Sequence, residues 1–196
     1  MKLYWPEDAK LKIVNKFLLA AIIICNLYII AAPLLPALQF QVNKKITKPV
    51  NIQINNTESL QAIDRSQNKL IMPSIQLEQI IHIGNNPRDV NKGVWKLPAS
   101  SNPADGSNTV LVGHRFSYKH PAVFYHLDKV KQNDQLVVVY NQKIYKYTVK
   151  ETQIVPPNQK QIESPSDQPK LTLYTCDPLW STKNRLVLEA ELVETL

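Results

Sequence analysis

The longest apolar run in the chain lies near its amino terminus, from Phe17 to Leu38. It reads FLLAAIIICNLYIIAAPLLPAL and holds 22 residues without a charged side chain. A helix needs roughly 20 apolar residues to cross the hydrocarbon core of a bilayer. A secretory signal peptide has a shorter apolar region that ends in small residues, and the PLLP at 33–36 is not such an ending. A buried core helix is the other alternative, but this run is long for one. The pattern predicts a membrane-spanning helix over 17–38.

Downstream of this run the pattern changes twice. Residues 39–68 are rich in Asn, Gln and Lys and only weakly periodic, which predicts a tether. From Lys69 onward, short β-like runs are separated by turn residues, and two of them, 134–140 and 143–150, flank Asn141-Gln142 as the arms of a hairpin do. We therefore predict a closed or sandwiched all-β fold for this part of the chain. Further candidate strands are 109–112, 171–176, 185–193 and one or two within 71–83.

These patterns divide the 196 residues into an amino-terminal segment (1–16), the span (17–38), the tether (39–68) and one folded domain (69–196). The formal net charge is +7, but it is spread along the chain with acidic residues between the basic ones. A nucleic-acid-binding protein usually shows a concentrated basic patch, and this sequence has none. Four lysines precede the apolar run and three follow it closely, which only slightly favours a cytoplasmic amino terminus.

The chain has two cysteines, Cys25 and Cys176. Cys25 falls inside the predicted span, so a disulfide between the two is geometrically implausible. Cys176 ends a predicted strand directly before Asp177, at the rim of a sheet, where loops and active sites gather. Most free cysteines are small buried hydrophobes, and that interpretation stays open at this point. A nucleophilic cysteine also requires a base within reach and a group that stabilises an oxyanion.

Two residues are candidates for these roles. His114 closes the strand 109–112, which is the same strand-end placement as that of Cys176. Arg185 opens the last predicted strand, at a strand end adjacent to Cys176, and its guanidinium offers several donors in a fixed fork. Taken alone, Arg185 would be an exposed residue at a strand edge. Zinc is not indicated, because the chain lacks C-x-x-C and H-x-x-x-H spacings. Of the other histidines, His82 fits a structural position in a strand, His120 a loop, and His126 a surface or capping position.

Two segments of the domain resemble the signature of the sortases. The segment TLYTCDPLWSTKNRLVLEAEL (172–192) contains TLxTC followed after a short loop by Arg. The segment GVWKLPASSNPADGSNTVLVGHRF (93–116) is similar to the family's approach to its catalytic histidine. Phe124, Leu127 and Asp134 also fit the family's spacing, and the resemblance covers about residues 69–196.

This resemblance implies an eight-stranded sortase-type β-barrel that works as a cysteine transpeptidase. In such an enzyme Cys176 would attack the Thr carbonyl of an LPxTG-like sorting signal, His114 would move protons to and from amines, and Arg185 would hold the oxyanion. The thioacyl group would then pass from the enzyme to an amine acceptor on the cell wall or a pilin. Tyr174, Thr175 and Trp180, close to the cysteine in sequence, are candidates for substrate binding.

The resemblance also places the amino terminus in the cytoplasm and the domain outside, in a single-pass protein of the cell membrane. It implies no cofactor, and the lack of an acidic cluster like the calcium site of the housekeeping class leads us to expect no metal. The Cys-to-Arg gap of nine positions favours a short-loop class similar to class E. Two other functions stay open: a membrane-tethered barrel that binds peptides without catalysis, and a cysteine peptidase that only hydrolyses them.

Overall fold

The computed structural model describes residues 7–32, 38, 60 and 62–196. Helix α1 (Glu7–Ala31) is 25 residues long, and its stretch Leu11–Ala31 is long and apolar enough to cross a membrane. The helix begins ahead of the predicted span because the lysines in its first turns are good helix formers. The charged residues therefore limit the apolar run but do not limit the helix. Within the predicted span and tether, 33–37, 39–59 and 61 lie outside the described residues.

Eight strands form a closed barrel in the order β1-β2-β3-β4-β7-β8-β6-β5, which confirms the predicted all-β class and the eight-stranded barrel. Most neighbours are antiparallel, but β2 pairs with β3 and β4 pairs with β7 in parallel. Short 3-10 helices connect several strands, among them Pro87–Lys92 and Lys160–Glu163. The strands are β1 (Lys69–Met72), β2 (Leu77–Ile83), β3 (Val94–Lys96), β4 (Asn108–Val112), β5 (Gln135–Tyr140), β6 (Lys143–Val155), β7 (Lys170–Asp177) and β8 (Asn184–Thr195).

The predicted hairpin is the β5–β6 pair. Tyr140 lies opposite Lys143, so Asn141 and Gln142 form a two-residue turn. Both turn residues have positive φ, 49° and 65°, as a type I′ turn requires. Asn tolerates this left-handed conformation better than most residues, which explains why the sequence signal was readable.

The main apolar core lies inside the barrel and includes Tyr147 and Leu171, which are fully buried. A second apolar cluster joins Leu60 and Ile63 to Ile71 of β1 and to three residues of β5 and β6. Successive side chains of a strand point to opposite faces of the sheet. The main core therefore covers the inner face of these strands, and the second cluster covers their outer face. Leu60 and Ile63 come before Lys69, in the segment that the sequence analysis treats as a tether. The three residues of β5 and β6 are Val137, Val139 and Ile144.

Candidate active site

The parallel pairing of β4 with β7 brings the carboxyl ends of both strands to one rim of the barrel. The Gly113 N–H, just after β4, donates a hydrogen bond to the Tyr174 carbonyl at 3.4 Å. The Thr175 hydroxyl donates to the Gly113 carbonyl at 2.8 Å. His114 directly follows Gly113, and Cys176 directly follows Thr175. The two predicted site residues therefore lie beside each other at the rim.

The antiparallel pairing of β7 with β8 adds the third predicted residue. Cys176 lies directly opposite Arg185 in the register of the two strands. Side chains of opposite residues in an antiparallel pair project to the same face, with Cβ atoms about 4.5–5.5 Å apart. The Arg185 Nη1 donates to the carbonyls of Thr182 and Asn184, each at 3.0 Å. These two bonds tie the guanidinium to the turn between β7 and β8.

His114, Cys176 and Arg185 all line one cavity of about 360 Å³. Cys176 is a free thiol and is partly accessible. The cavity is bounded on one side by the segment between β6 and β7, which carries both apolar and charged side chains. Its further lining residues include Val90, Val112, Pro157, Gln159, Lys160, Ile162 and Glu163.

His114 is held by a partner that the sequence analysis did not identify. Its Nε2 lies 2.8 Å from Oδ1 of Asn91, in the 3-10 helix before β3. An amide oxygen only accepts hydrogen bonds, so this contact favours a proton on Nε2. The ring of His120 stacks on His114 with centroids 5.8 Å apart. Burial, and secondly the charge of His120, lowers the pKa of His114 below its ordinary 6.5, so the neutral imidazole predominates at pH 7.

The three candidate substrate-binding residues lie in different surroundings. Tyr174 lines the cavity, and its hydroxyl donates to Glu163 at 2.7 Å, while burial raises the pKa of this phenol. Thr175 also lines the cavity but is buried, with its hydroxyl bonded to the backbone of Gly113. Trp180 lies in a second cavity, of about 710 Å³, which shares His114 and Cys176 with the first.

The residues that directly follow His114 and Cys176, which are Arg115 and Asp177, form an ion pair. Arg115 is buried and forms a close ion pair with Asp177 and a longer one, at 3.6 Å, with Asp128. His82 lies on β2 and His126 precedes a short 3-10 helix, and neither lines either cavity. Within the described ranges, no group of three or more His, Cys, Asp or Glu side chains is placed to hold a metal ion.

Comparison with known proteins assigns the family. The sortase domain matches residues 70–193, more than half of the chain, and the chain belongs to the sortase family, as the sequence motifs indicated. YwpE of Bacillus subtilis is 31% identical over 88 residues, which are 45% of this chain and 85% of YwpE. Sortase A of Listeria monocytogenes is 25% identical over 126 residues, 64% of this chain, but this chain spans only 56% of that protein. The crystal structure of sortase C1 from Streptococcus suis is similar with a TM-score of 0.61 and 26% identity, over 65% of this chain and 73% of that one.

Proposed function

We propose that this chain is a membrane-anchored cysteine transpeptidase that cleaves an LPxTG-like sorting signal and transfers the protein to an amine on the cell surface. The observation that carries the proposal is the convergence of a free thiol, an imidazole and a guanidinium on one cavity, from three neighbouring strands. Membership of the sortase family supports the same chemistry. A peptide bound in this cavity of about 360 Å³ would present its scissile carbonyl to Cys176.

In the first half of the proposed reaction, Cys176 attacks the Thr carbonyl of the sorting signal. A bond forms between Sγ and the carbonyl carbon, and the peptide C–N bond breaks. His114, which is neutral at pH 7, takes the thiol proton and passes it to the leaving amine. The result is a thioacyl enzyme and a released carboxyl-terminal peptide with a free amine.

In the second half, an acceptor amine attacks the thioacyl carbon. The new C–N bond forms, the C–S bond breaks, and the proton lost by the amine returns through His114 to the Cys176 sulfur. Arg185 stands across the strand pair from Cys176 and acts in both halves. Nη1 is engaged by the carbonyls of Thr182 and Asn184, so the other donors of the guanidinium would bind the carbonyl oxygen as negative charge develops there. That interaction is stronger in the transition state than in the ground state.

The helix at the amino terminus gives the proposed enzyme its location. Leu11–Ala31 is the candidate membrane span, and we propose that the amino terminus is cytoplasmic and the barrel extracellular. Secreted proteins with carboxyl-terminal sorting signals would then be the donors, and amines on the cell wall or a pilin the acceptors. The short turn between β7 and β8 favours the short-loop class similar to class E.

The proposal predicts that the Cys176→Ala variant loses transpeptidation completely while retaining the fold, because the sulfur is partly accessible at the barrel rim and not part of either apolar cluster. The test incubates the full chain in detergent micelles with a library of LPxTG-like peptides, with and without a primary amine. Intact mass identifies the thioacyl enzyme, and product analysis separates transfer from hydrolysis. The expected result is a thioacyl adduct on Cys176 in the native protein and an amine-dependent product.

Two histidine variants extend this experiment: His114→Ala is the test, and His120→Ala is its matched control. His114→Ala is expected to lose about 10²–10⁴-fold in rate, the usual size of a general acid–base contribution. His120→Ala, whose ring is adjacent but lines only the second cavity, is expected to lose far less. Peptide binding without any adduct would establish a non-catalytic binder, and an adduct that yields only hydrolysis would establish a peptidase. Either result would contradict the proposal.

A further inference from the structure

A second imidazole lies directly against that of His114. The ring of His120 stacks on the ring of His114, with centroids 5.8 Å apart and planes inclined by 21°. Both rings are only partly buried, and both line the second cavity together with Cys176. Histidine is the side-chain type whose charge ordinarily changes between pH 5 and 8. A group that gains charge in this range therefore touches the imidazole on which the proposed reaction depends.

The hydrogen bonds around the two rings hold them in this arrangement. Nε2 of His114 contacts Oδ1 of Asn91 at 2.8 Å, which leaves Nδ1 as the nitrogen that can act as a base. The backbone N–H of His120 donates to the hydroxyl of Ser117 at 3.1 Å. One bond thus orients the ring of His114, and the other fixes the backbone of the loop that carries His120.

The other charged groups of the two cavities act on His114 almost equally at every pH between 5 and 7. Carboxyl, thiol, phenol, ammonium and guanidinium groups ordinarily keep one charge state in this range. Such charged side chains are Arg185, Lys160 and Glu163 in the first cavity and Lys119 and Arg115 in the second, where Arg115 is paired with Asp177 and Asp128. The influence of His120, in contrast, grows as the pH falls.

A charged His120 opposes the protonation of His114. The pKa of His114 lies below its ordinary value because of burial first and the charge of His120 second. Two unit charges 5.8 Å apart in a medium as polar as water repel each other by about half a pH unit, or a factor of about three in protonation. The lower polarity of a partly buried site increases this factor. Since each ring disfavours charge on the other, the two titrate as a pair.

We propose that His120 is a positioning residue that keeps the stacked imidazole of His114 neutral, and so able to take the thiol proton of Cys176, at mildly acidic pH. This inference rests on the proposed function and adds a residue to its mechanism. His120 acts on the reaction through His114: as the pH falls, its ring takes up a proton from solvent, and the resulting charge delays protonation of His114. Cleavage of the donor peptide thereby extends to lower pH than His114 alone would allow.

Two variants separate the charge of His120 from its packing. His120→Phe keeps a flat ring without charge, and His120→Arg keeps a flat group that is always charged. The full chain in detergent micelles cleaves an LPxTG-like peptide between pH 5 and 8, and kcat/KM gives the midpoint of the acid limb. His120→Phe is expected to raise this midpoint by about half a pH unit and to lower kcat/KM about threefold at pH 5.5, with little change at pH 7.5. His120→Arg is expected to place the midpoint at or below the native value.

A second measurement follows the protonation of His114 without relying on activity. NMR of the full chain with histidines labelled at Cε1 reports each ring, and the signal of His114 is the one that His114→Gln lacks. Its titration is expected to shift in the same direction as the acid limb in both variants. His126→Phe is the matched control, because His126 lies in the same connection between β4 and β5 but lines neither cavity. This variant is expected to keep the native limb and the native titration of His114.

The outcomes distinguish the inference from the function on which it rests. An acid limb that does not move in His120→Phe, or a rate that falls by the same factor at every pH, would overturn the inference, because His120 would then act only through packing. An upward shift in both His120→Phe and His120→Arg would do the same. Both results would leave the proposed transpeptidase intact. Absence of any thioacyl enzyme in the native protein would overturn the proposed function itself and this inference with it.

Discussion

The ion pair of Arg115 with Asp177 connects the segment that carries His114 to the strand that carries Cys176. Arg115 is buried, and Asp177 is largely so, while Asp128 makes a second and longer contact with the guanidinium. A buried charge that loses its partner keeps its desolvation penalty without the compensating attraction. The pair therefore holds the two proposed catalytic residues at a fixed separation and is costly to break from one side.

This arrangement predicts strong coupling between the two members of the pair. Arg115→Gln is expected to lower the free energy of unfolding by about 3–5 kcal/mol, because it leaves the Asp177 carboxylate without its partner. Asp177→Asn is expected to cost somewhat less, because the buried guanidinium keeps its longer contact with Asp128. The loss of unfolding free energy in the double variant is expected to be smaller than the sum of the two single losses by at least about 1 kcal/mol. Denaturant titration of all four proteins measures the coupling. The exposed pair Lys150–Glu191 is the comparison, and its disruption is expected to cost less than about 1 kcal/mol. Simple additivity at Arg115 and Asp177 would contradict the prediction.

The sequence was informative about residues whose position follows from a strand, and silent about their partners. Alternation and strand ends placed His114, Cys176 and Arg185 at the rim, and the structure brings them to one cavity. Asn91 contacts His114 from 23 positions away in sequence, and Asp177 contacts Arg115 from 62. No periodic pattern encodes such pairings, because they depend on which loops the closed barrel brings together.

Among the connecting elements, the segment between β6 and β7 forms one wall of the first cavity and is fastened at its base. Asn108 of β4 is buried, and its amide donates to the carbonyls of Ile162 and Ser164 at 3.0 and 2.9 Å. The hydroxyl of Thr172 donates to the Asn108 side-chain oxygen at 2.8 Å. The amide nitrogen of Asn108 thus holds this wall against the barrel, while its amide oxygen is bonded to β7.

Removal of that amide is expected to loosen the wall and weaken substrate binding. Asn108→Ala leaves two carbonyls and one hydroxyl without their partner, which we expect to cost about 2–3 kcal/mol of unfolding free energy. Because the wall contributes Ile162 and Glu163 to the cavity, KM for the donor peptide is expected to rise more than kcat falls. Thermal unfolding and steady-state kinetics measure the two effects. Ser66→Ala, in an exposed turn, serves as the control: it is expected to leave KM unchanged and to lower the unfolding free energy only slightly, because it removes one exposed hydrogen bond to Asp64. An unchanged KM with reduced kcat would show that the wall does not bind the donor peptide.

The strands differ in how clearly the sequence pattern predicts them. The β5–β6 hairpin followed from alternation and a two-residue turn, both of which are local signals. β3 was not among the predicted strands, because it has only three residues and all of them are buried, including Lys96. The Lys96 ammonium donates to the carbonyl of Ser100 at 2.9 Å. Lys96 shares a strand face with the core residue Val94, so a charged residue lies where a period of two predicts an apolar one. A strand this short is defined by its neighbours in the barrel and not by its own composition.

At the scale of the folded domain, apolar packing on both sides of the barrel wall provides stability, and the ionisable groups determine the response to acid. Leu60 and Ile63 cover part of the outer surface, while the main core fills the interior. The net charge of +7 grows as carboxylates become protonated, and self-repulsion then opposes the compact state. Hydrogen bonds from Ser66 lower the pKa of Asp64 below its ordinary 3.8, so its stabilising contribution is lost only at strongly acidic pH.

Loss of stability at mildly acidic pH is expected to come in part from His114. Burial and His120 lower the pKa of His114, so the folded protein binds this proton more weakly than the unfolded chain does. The resulting stabilisation is fully present above the ordinary pKa of 6.5 and is lost as the pH falls through and below it. His114→Gln removes the titration while its amide can still donate to Asn91. Between pH 7.5 and 5, this variant is therefore expected to lose less unfolding free energy than the native protein, as measured by denaturant titration at each pH. An equal or larger loss in the variant would show that protonation of His114 does not oppose folding.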